Sequence, residues 1–251
     1  MSQADLASTA AGIQPVSPQD AGAPSDAPPT VADVVGMLRA AAPPELAEPW
    51  DSNQLLCGDP ADSAGSVLLA VDPVTAVVDE AIGRGVELFI THLPRYLRVT
   101  DHVSATNPKG RTVHRLIRHG IALANAHTTL HAAHGGVAAA LAAAVGVLSA
   151  VPLEPNPLDP TQGIGRVGTL QRTTRLRDLA AAVAVALPDS APGLLVGGDP
   201  EATVETVAVS GGAGDSLLAA ARNAGADVFL TADLRHHPAS EHLEAGRPYL
   251  L

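Results

Sequence analysis

Two stretches of the chain show the same alternation of apolar runs and a segment with helical spacing. Residues 67–72 and 86–91 are apolar runs, and residues 74–83 between them read as a helix. The same order returns late in the chain, in residues 206–210, 216–223 and 226–231. Such β-α-β units run their strands in parallel, and near-continuous apolar strands are covered by helices on both faces. The pattern predicts an α/β fold with largely parallel or mixed sheets.

The two units are related by a common spacing. Phe89 and Phe229, like Thr91 and Thr231, are separated by 140 residues. This shared offset favours a duplicated fold, although similar-looking units in an ordinary α/β protein are the alternative. We expect two related halves at about residues 31–150 and 160–251, preceded by a disordered tail at residues 1–30 that lacks apolar periodicity.

Further elements lie between and after these units. The spacing predicts a helix over residues 111–119, a strand over 121–126 and an Ala-rich helix over 132–148. A Pro-rich connector over residues 151–162 and a helix over 176–187 follow, and Thr173 or Thr174 is expected to cap that helix.

Composition narrows the classes of function. The chain of 251 residues is 46% hydrophobic and 16% charged, with a formal net charge of -11. This is apolar enough for a folded core, and the acidic balance disfavours nucleic-acid binding. A single cysteine, Cys57, excludes a disulfide framework and a thiolate zinc cluster. The most apolar run, residues 136–151, is too short for a membrane span, and without a signal-peptide pattern we expect a cytoplasmic protein.

Histidines follow two of the predicted strands. His92 follows the strand that ends at Thr91, and His127 and His131 follow the strand that ends near Ala126. Ligands gather beyond the carboxyl ends of parallel strands, and imidazole is a common ligand of zinc, iron, nickel and copper. A strand-end histidine is also often a hydrogen-bonded structural residue, so the pattern alone leaves both interpretations open.

Three other motifs have simpler explanations. Residues 163–168 match G-x-G-x-x-G but have no preceding strand and no helix directly after them, which disfavours a dinucleotide site. The Gly-rich loop at residues 210–216 could hold a phosphate, but without a P-loop lysine it reads more readily as a tight turn. His236, His237 and His242 form a third group that we expect to be solvated.

Several short motifs occur in one order along the chain. They are Pro49-Trp50-Asp51, Gly58-Asp59, Thr91-His92-Leu93-Pro94, Ala126-His127-Thr128, the Gly-rich residues 163–168 and the segment at residues 225–231. In this order they resemble the GTP cyclohydrolase 1 type 2 homologues, also called the NIF-three-like family. The similarity runs from about Val31 to the end of the chain.

The resemblance implies a duplicated α/β subunit that assembles into a toroidal homohexamer. It also implies a pair of divalent metal ions in each subunit, for which zinc, iron or manganese are candidates. The activity attached to the family name is a cyclohydrolase reaction on GTP, so a small phosphorylated molecule is an expected partner. Nucleic acid and membrane are not expected partners.

The family's ligand set carries over only in part. Of the paired histidines at the first strand end, His92 is kept, whereas Leu93 cannot coordinate a metal. His131 stands where the family has a carboxylate between the two metals. A further His and Glu would begin where this chain ends, at Leu251, so we expect a C-terminally truncated domain. The predicted metal ligands are therefore His92 and His131.

Three hypotheses about function follow. The first is a NIF-three-like metal-binding protein with a degenerate dinuclear site that is weak or inactive. The second is a metal-dependent hydrolase of GTP or a related small molecule. The third is a non-catalytic oligomeric scaffold or interaction protein.

Overall fold

The computed structural model describes residues 27–98 and 100–251. The helices of this part are α1 (Val31–Ala41), α2 (Thr75–Arg84), α3 (Pro108–Arg118), α4 (Thr128–Ala132), α5 (Val137–Ala144), α6 (Leu176–Ala186), α7 (Leu218–Asn223) and α8 (His236–Glu244). The strands are β1 (Leu55–Cys57), β2 (Val67–Ala70), β3 (Leu88–Thr91), β4 (Ala122–Asn125), β5 (Val147–Pro155), β6 (Gly163–Arg175), β7 (Val196–Gly197), β8 (Thr203–Val209), β9 (Val228–Leu230) and β10 (Tyr249–Leu250). Single 3-10 turns occur at Pro44–Leu46 and Asp215–Leu217.

The first sheet has four strands in the order β1-β4-β3-β2. β2, β3 and β4 are parallel, and β1 joins β4 in the antiparallel direction. Neighbouring residues on β3 point to opposite faces, where Leu88 packs with α1 and Phe89 packs with α2 and α3. Both faces of the central strands β3 and β4 are therefore covered by helices, as the apolar strands predict.

The second sheet has six strands in the order β5-β6-β8-β9-β10-β7. β8, β9 and β10 are parallel, whereas β5, β6 and β7 join in the antiparallel direction. The β8-α7-β9 unit corresponds to β2-α2-β3 of the first sheet, and Phe89 and Phe229 are both fully buried. The predicted mixed α/β fold is confirmed, and the division into two related halves at about residues 31–150 and 160–251 stays a prediction.

The prediction of one Ala-rich helix over residues 132–148 is wrong. The helix is interrupted between α4 and α5, because Gly135 adopts a left-handed φ of 70° and a Cβ on Gly136 would lie 2.1 Å from the carbonyl oxygen of Leu130. A second left-handed glycine, Gly146, ends the α5 segment, and the chain continues directly into β5. Helical periodicity cannot detect such breaks in a run composed mainly of alanine.

Two neighbouring expectations also need correction. The first part of the predicted connector over residues 151–162 belongs to β5, whose edge position tolerates its prolines. The residue before α6 is Arg175, and neither Thr173 nor Thr174 caps that helix because both lie within β6. The G-x-G-x-x-G sequence also lies within β6 rather than at a strand-to-helix turn.

The first helix of the described residues, α1, begins at Val31. Residues 1–26, most of the predicted tail, lie outside the described residues. Thr30 caps α1, since its hydroxyl accepts a hydrogen bond from the Asp33 amide and the Asp33 carboxylate accepts one from the Thr30 amide. Across residues 27–98 and 100–251, no helix combines the length and the apolar character that crossing a lipid bilayer requires.

Candidate metal centre

Three histidines meet at the carboxyl edge of the first sheet. β3 and β4 are adjacent and parallel, so His92 after β3 and His127 after β4 leave the sheet at the same edge. His131 lies one helical turn after His127, in α4, and its amide donates a hydrogen bond to the His127 carbonyl. The strand order thus brings the two sequence-predicted ligands, His92 and His131, together with His127.

The three rings form a compact cluster. The Nε2 atoms of His92 and His131 lie 3.2 Å apart. One potential ligand nitrogen from each of His92, His127 and His131 lies within 4.8 Å of the others. Two nitrogens bound to one tetrahedral zinc ion at about 2.0–2.1 Å are separated by about 3.3 Å. The three nitrogens therefore fit a single metal ion. Among the described residues, these histidines are the one group of three or more His, Cys, Asp or Glu side chains that lie close enough together to share an ion.

A buried carboxylate orients one of these rings. The side chain of Asp51 has no exposed surface, and its Oδ1 accepts a hydrogen bond from His127 Nδ1 at 2.9 Å. That bond assigns the Nδ1 proton to His127 and leaves Nε2 free to coordinate a metal. The other oxygen, Oδ2, accepts hydrogen bonds from the amide and hydroxyl of Thr128 and from Asn53 Nδ2. Because both oxygens are occupied in this way, Asp51 supports the cluster rather than joining it.

The loop before β1 supplies further contacts to the cluster. The amide of His127 donates a hydrogen bond to Asn53 Oδ1, and the Thr129 hydroxyl donates to the same oxygen at 3.3 Å. The indole ring of Trp50, which is 56% exposed, lies edge-on to the His127 ring with centroids 5.9 Å apart. The segment from Trp50 to Asn53 thus holds the backbone and ring of His127 in place.

The environment of His92 and His131 favours their neutral forms. Burial, together with the nearby His92 and His127 rings, lowers the pKa of His131 to about 4. Burial and the nearby His127 ring also lower the pKa of His92. Burial alone would raise the pKa of Asp51, but hydrogen bonds from His127, Thr128 and Asn53 hold it well below its usual range. A neutral imidazole is the form that binds metals, so this electrostatic environment favours coordination.

Two residues of this arrangement were not predicted as site residues. His127 lies at a predicted strand end but is not among the predicted ligands, and Asp51 has no predicted role. The signal for His127 was its spacing to His131, because residues four apart share one helical face. The contact with Asp51 had no local signal, since 76 residues separate the two side chains.

The Gly-rich loop of the second sheet lies against the cluster. A Cβ on Gly211 would lie 3.1 Å from His131 Cε1, so this glycine allows the loop to approach the ring. A cavity of about 660 Å³ adjoins the loop, and its walls include Leu187, Leu230 and Leu251. That volume lies within the range typical of small-molecule sites. Phosphate binding stays the less favoured of the two interpretations of this loop.

The other candidate residues lie apart from the cluster. The rings of His236 and His237 are 5.3 Å apart at the start of α8. His242 was predicted to be solvated, but it is buried, and burial lowers its pKa. Burial also raises the pKa of the Cys57 thiol, which makes it a poor nucleophile.

The family model and the relatives that match this chain agree on one protein family. The chain matches the model of the family Duf34/NIF3 (NGG1p interacting factor 3) over residues 29–251. It is 51% identical to a Streptomyces coelicolor protein named GTP cyclohydrolase 1 type 2 homolog, over 85% of this chain and 75% of that protein. A Mycobacterium tuberculosis protein of the same name is 33% identical, with 88% of this chain and 86% of that protein covered.

Solved structures agree with these sequence matches. The Staphylococcus aureus hypothetical protein SA1388 superposes with a TM-score of 0.79 at 26% identity, covering 89% of this chain and 85% of that one. A Bacillus cereus protein related to NIF3 shares the fold, with a TM-score of 0.81 at 21% identity and coverage of 89% and 88%. These matches confirm the resemblance drawn from the short motifs. Sequence and fold together establish that the chain belongs to the Duf34/NIF3 family.

Proposed function

We propose that this protein binds a single divalent metal ion through His92, His127 and His131. The observation that carries the proposal is the convergence of the three ligand nitrogens to within 4.8 Å of one another. Leu93 offers no donor atom, and the imidazole of His131 bridges two ions less readily than a carboxylate does. A mononuclear site therefore suits these residues better than the dinuclear site that the resemblance implies. A donor set made only of imidazoles favours zinc or iron over manganese.

The metal content of the purified protein tests this proposal. After chelation and reloading with zinc, elemental analysis and calorimetric titration should give close to one ion per chain. His131→Ala should lose that ion, because it removes one of the three ligands. His134→Ala is the matched control, since this exposed histidine lies outside the cluster and its loss should leave the stoichiometry unchanged. Two tightly bound ions per chain, or none, would contradict the proposal.

A second candidate function is metal-dependent hydrolysis of GTP or a related small molecule. Two observations favour it: a three-histidine site leaves a coordination position open for water, and the 660 Å³ cavity adjoins the loop at Gly211. A bound ion would lower the pKa of a coordinated water. Asp51 would keep the His127 ring in the tautomer that exposes Nε2, and the half-exposed Trp50 would offer a flat surface to a substrate ring.

Turnover of GTP by the zinc-, iron- or manganese-loaded protein tests this second candidate. Hydrolysis should require the metal and should be abolished in His92→Ala, whereas His134→Ala should retain it. Absence of any turnover that depends on both the metal and His92 would exclude a GTP hydrolase.

We also propose that the protein forms a homo-oligomer. The scaffold hypothesis requires such self-association as well. β2 is an edge strand of the first sheet, and Val67, Leu69 and Val71 expose 40%, 72% and 61% of their surface. An exposed apolar edge of this kind is suited to contact with another copy of the chain. Light scattering should give the mass of a homo-oligomer, with a hexamer as the expected state, and Leu69→Glu should shift it toward the monomer. A stable monomer for the unsubstituted protein would contradict this part.

A further inference from the structure

The G-x-G-x-x-G sequence surrounds a buried positive charge. Arg166 is 4% exposed, and its Nη1 donates hydrogen bonds to the carbonyl oxygens of Gly163 and Gly165 at 2.6 and 2.7 Å. Gly163 and Gly165 have φ values of 149° and 65°, which side-chain-bearing residues rarely adopt. The glycines of the motif therefore let the strand turn two carbonyl oxygens toward the guanidinium.

The same guanidinium reaches the helix that carries His131. Its Nη2 donates to the carbonyl oxygens of Ala132 and Ala133, at 3.3 and 3.2 Å, at the end of α4. The last carbonyls of a helix lack partners within the helix, and a positive charge at that end is stabilising. The hydrogen bonds of Arg166 thus close off the C-terminus of α4.

A helix of five residues depends on such contacts for its position. Isolated helices of this length are not stable in water, because few hydrogen bonds compensate the cost of nucleation. His131 directly precedes Ala132, whose carbonyl Arg166 binds, so a shift of the end of α4 moves the imidazole with it. Burying a guanidinium against neutral carbonyls alone costs free energy. Its hydrogen bonds to the end of α4 explain why a buried arginine is present at this position.

We propose that Arg166 is a positioning residue that fixes α4, and through it the Nε2 atom of His131, at the metal centre. The inference rests on the proposed metal-binding function. It adds the requirement that a residue of the second sheet hold a ligand of the first. Arg166 comes from β6 of the second sheet, whereas His92 and His127 follow strands of the first. The geometry of the metal site therefore depends on both sheets, although its three candidate ligands all follow strands of the first sheet.

Substitution of Arg166 tests the inference through metal affinity and the ligand field of cobalt. Arg166→Met should weaken zinc binding about tenfold or more, the size of effect expected for loss of a group that orients a ligand. Arg166→Lys keeps the charge but cannot serve both carbonyl pairs, so it should have an intermediate affinity. In both variants the visible absorption spectrum of the bound Co²⁺ should change, because one nitrogen ligand is displaced.

A control separates positioning from general stability. Val204 is fully buried in the core of the second sheet, away from α4, so Val204→Ala should lower the thermal midpoint while leaving zinc affinity and the Co²⁺ spectrum unchanged. Affinity and the Co²⁺ spectrum are measured at a temperature at which each variant is fully folded by circular dichroism. Folded Arg166 variants with the affinity and the spectrum of the unsubstituted protein would overturn the inference while leaving the proposed function intact.

A measurement on the unsubstituted protein covers the case in which neither Arg166 variant folds. The guanidinium NMR resonances of Arg166 should shift on addition of zinc, at the same zinc-to-protein ratio as the ring resonances of His131. Saturation of the His131 resonances without any change at Arg166 would overturn the inference. Absence of zinc binding altogether would overturn both the proposed function and this inference.

Discussion

Replacing Asp51 with asparagine tests the role of the buried carboxylate beside the histidine cluster. The carboxylate accepts hydrogen bonds from the amides of Ser52 and Thr128, from the Thr128 hydroxyl, from Asn53 Nδ2 and from His127 Nδ1. Asparagine has nearly the same shape but only one acceptor oxygen. In the orientation that loses fewer contacts, the NH₂ group replaces Oδ1 and faces two of these donors, the Ser52 amide and His127 Nδ1; in the other orientation it would face three.

The expected loss of stability follows from those two contacts. A hydrogen bond to a charged group contributes about 1.5–3 kcal/mol, so the loss of two amounts to about 3–6 kcal/mol. Asparagine also removes the cost of burying a charge, which offsets part of the loss. We therefore expect the free energy of unfolding to fall by about 3 kcal/mol in Asp51→Asn.

The same substitution should weaken metal binding. Without the carboxylate, the Nδ1 proton of His127 loses its acceptor and the ring is free to take the other tautomer, which withdraws Nε2 as a ligand. We expect zinc affinity to fall about 10–100-fold. Urea unfolding in the presence of a chelator measures the first effect, and competition with a zinc-binding dye measures the second.

An exposed aspartate provides the matched control. Asp79 forms a surface ion pair with Arg115, a type of contact that contributes about 0–1 kcal/mol. Asp79→Asn should therefore leave zinc affinity unchanged and stability nearly so. If Asp51→Asn behaves like Asp79→Asn in both assays, the carboxylate does not orient His127 and the reasoning is refuted.

Three further predictions concern single residues. The pKa of His131 is lowered from 6.5 to about 4 in the folded chain, so the unfolded chain binds more protons between those pH values. The free energy of unfolding should therefore fall as the pH drops from about 6.5 to about 4. Urea titrations should show that part of this pH dependence disappears in His131→Ala. Gly211→Ala would place a methyl group 2.8 Å from Val137 Cγ1 and 3.1 Å from His131 Cε1, so the loop or the ring must shift, and zinc affinity in the dye assay should fall. Gly83→Ala, where a Cβ meets nothing within 4 Å, is its control and should instead stabilise α2 by about 0.5–1 kcal/mol without changing affinity. Phe229→Ala should cost about 3–5 kcal/mol in urea unfolding, because the ring is fully buried between β9 and α7, and a loss below 1 kcal/mol would contradict the described core.

Local patterns predicted the elements that have a strong period. Residues 74–83 and 176–187 were expected to be helices, and the structure has α2 at Thr75–Arg84 and α6 at Leu176–Ala186. Apolar side chains recur on one face of these helices, and their buried residues are the ones that the period selects. The segment at residues 132–148 was predicted wrongly, because alanine gives little contrast between the faces of a helix.

The candidate site was predictable only to the extent that it depends on strand ends. The carboxyl ends of two strands singled out His92, His127 and His131, and the family resemblance then limited the predicted ligands to His92 and His131. His127 comes from the same segment but was left out, because the resemblance pointed to other positions. The hydrogen bond from His127 to Asp51 and the approach of Gly211 to His131 join residues that are distant in the chain.

The sequence by itself therefore determined the α/β class, most of the element order and the strand ends that carry the histidines. Only the tertiary structure decided that a carboxylate 76 residues from His127 orients its ring, and that an arginine of the second sheet holds α4. The physical reason is that hydrophobic periodicity records which face of an element is buried. The neighbours of that face are set by strand order and crossovers, which local patterns do not encode.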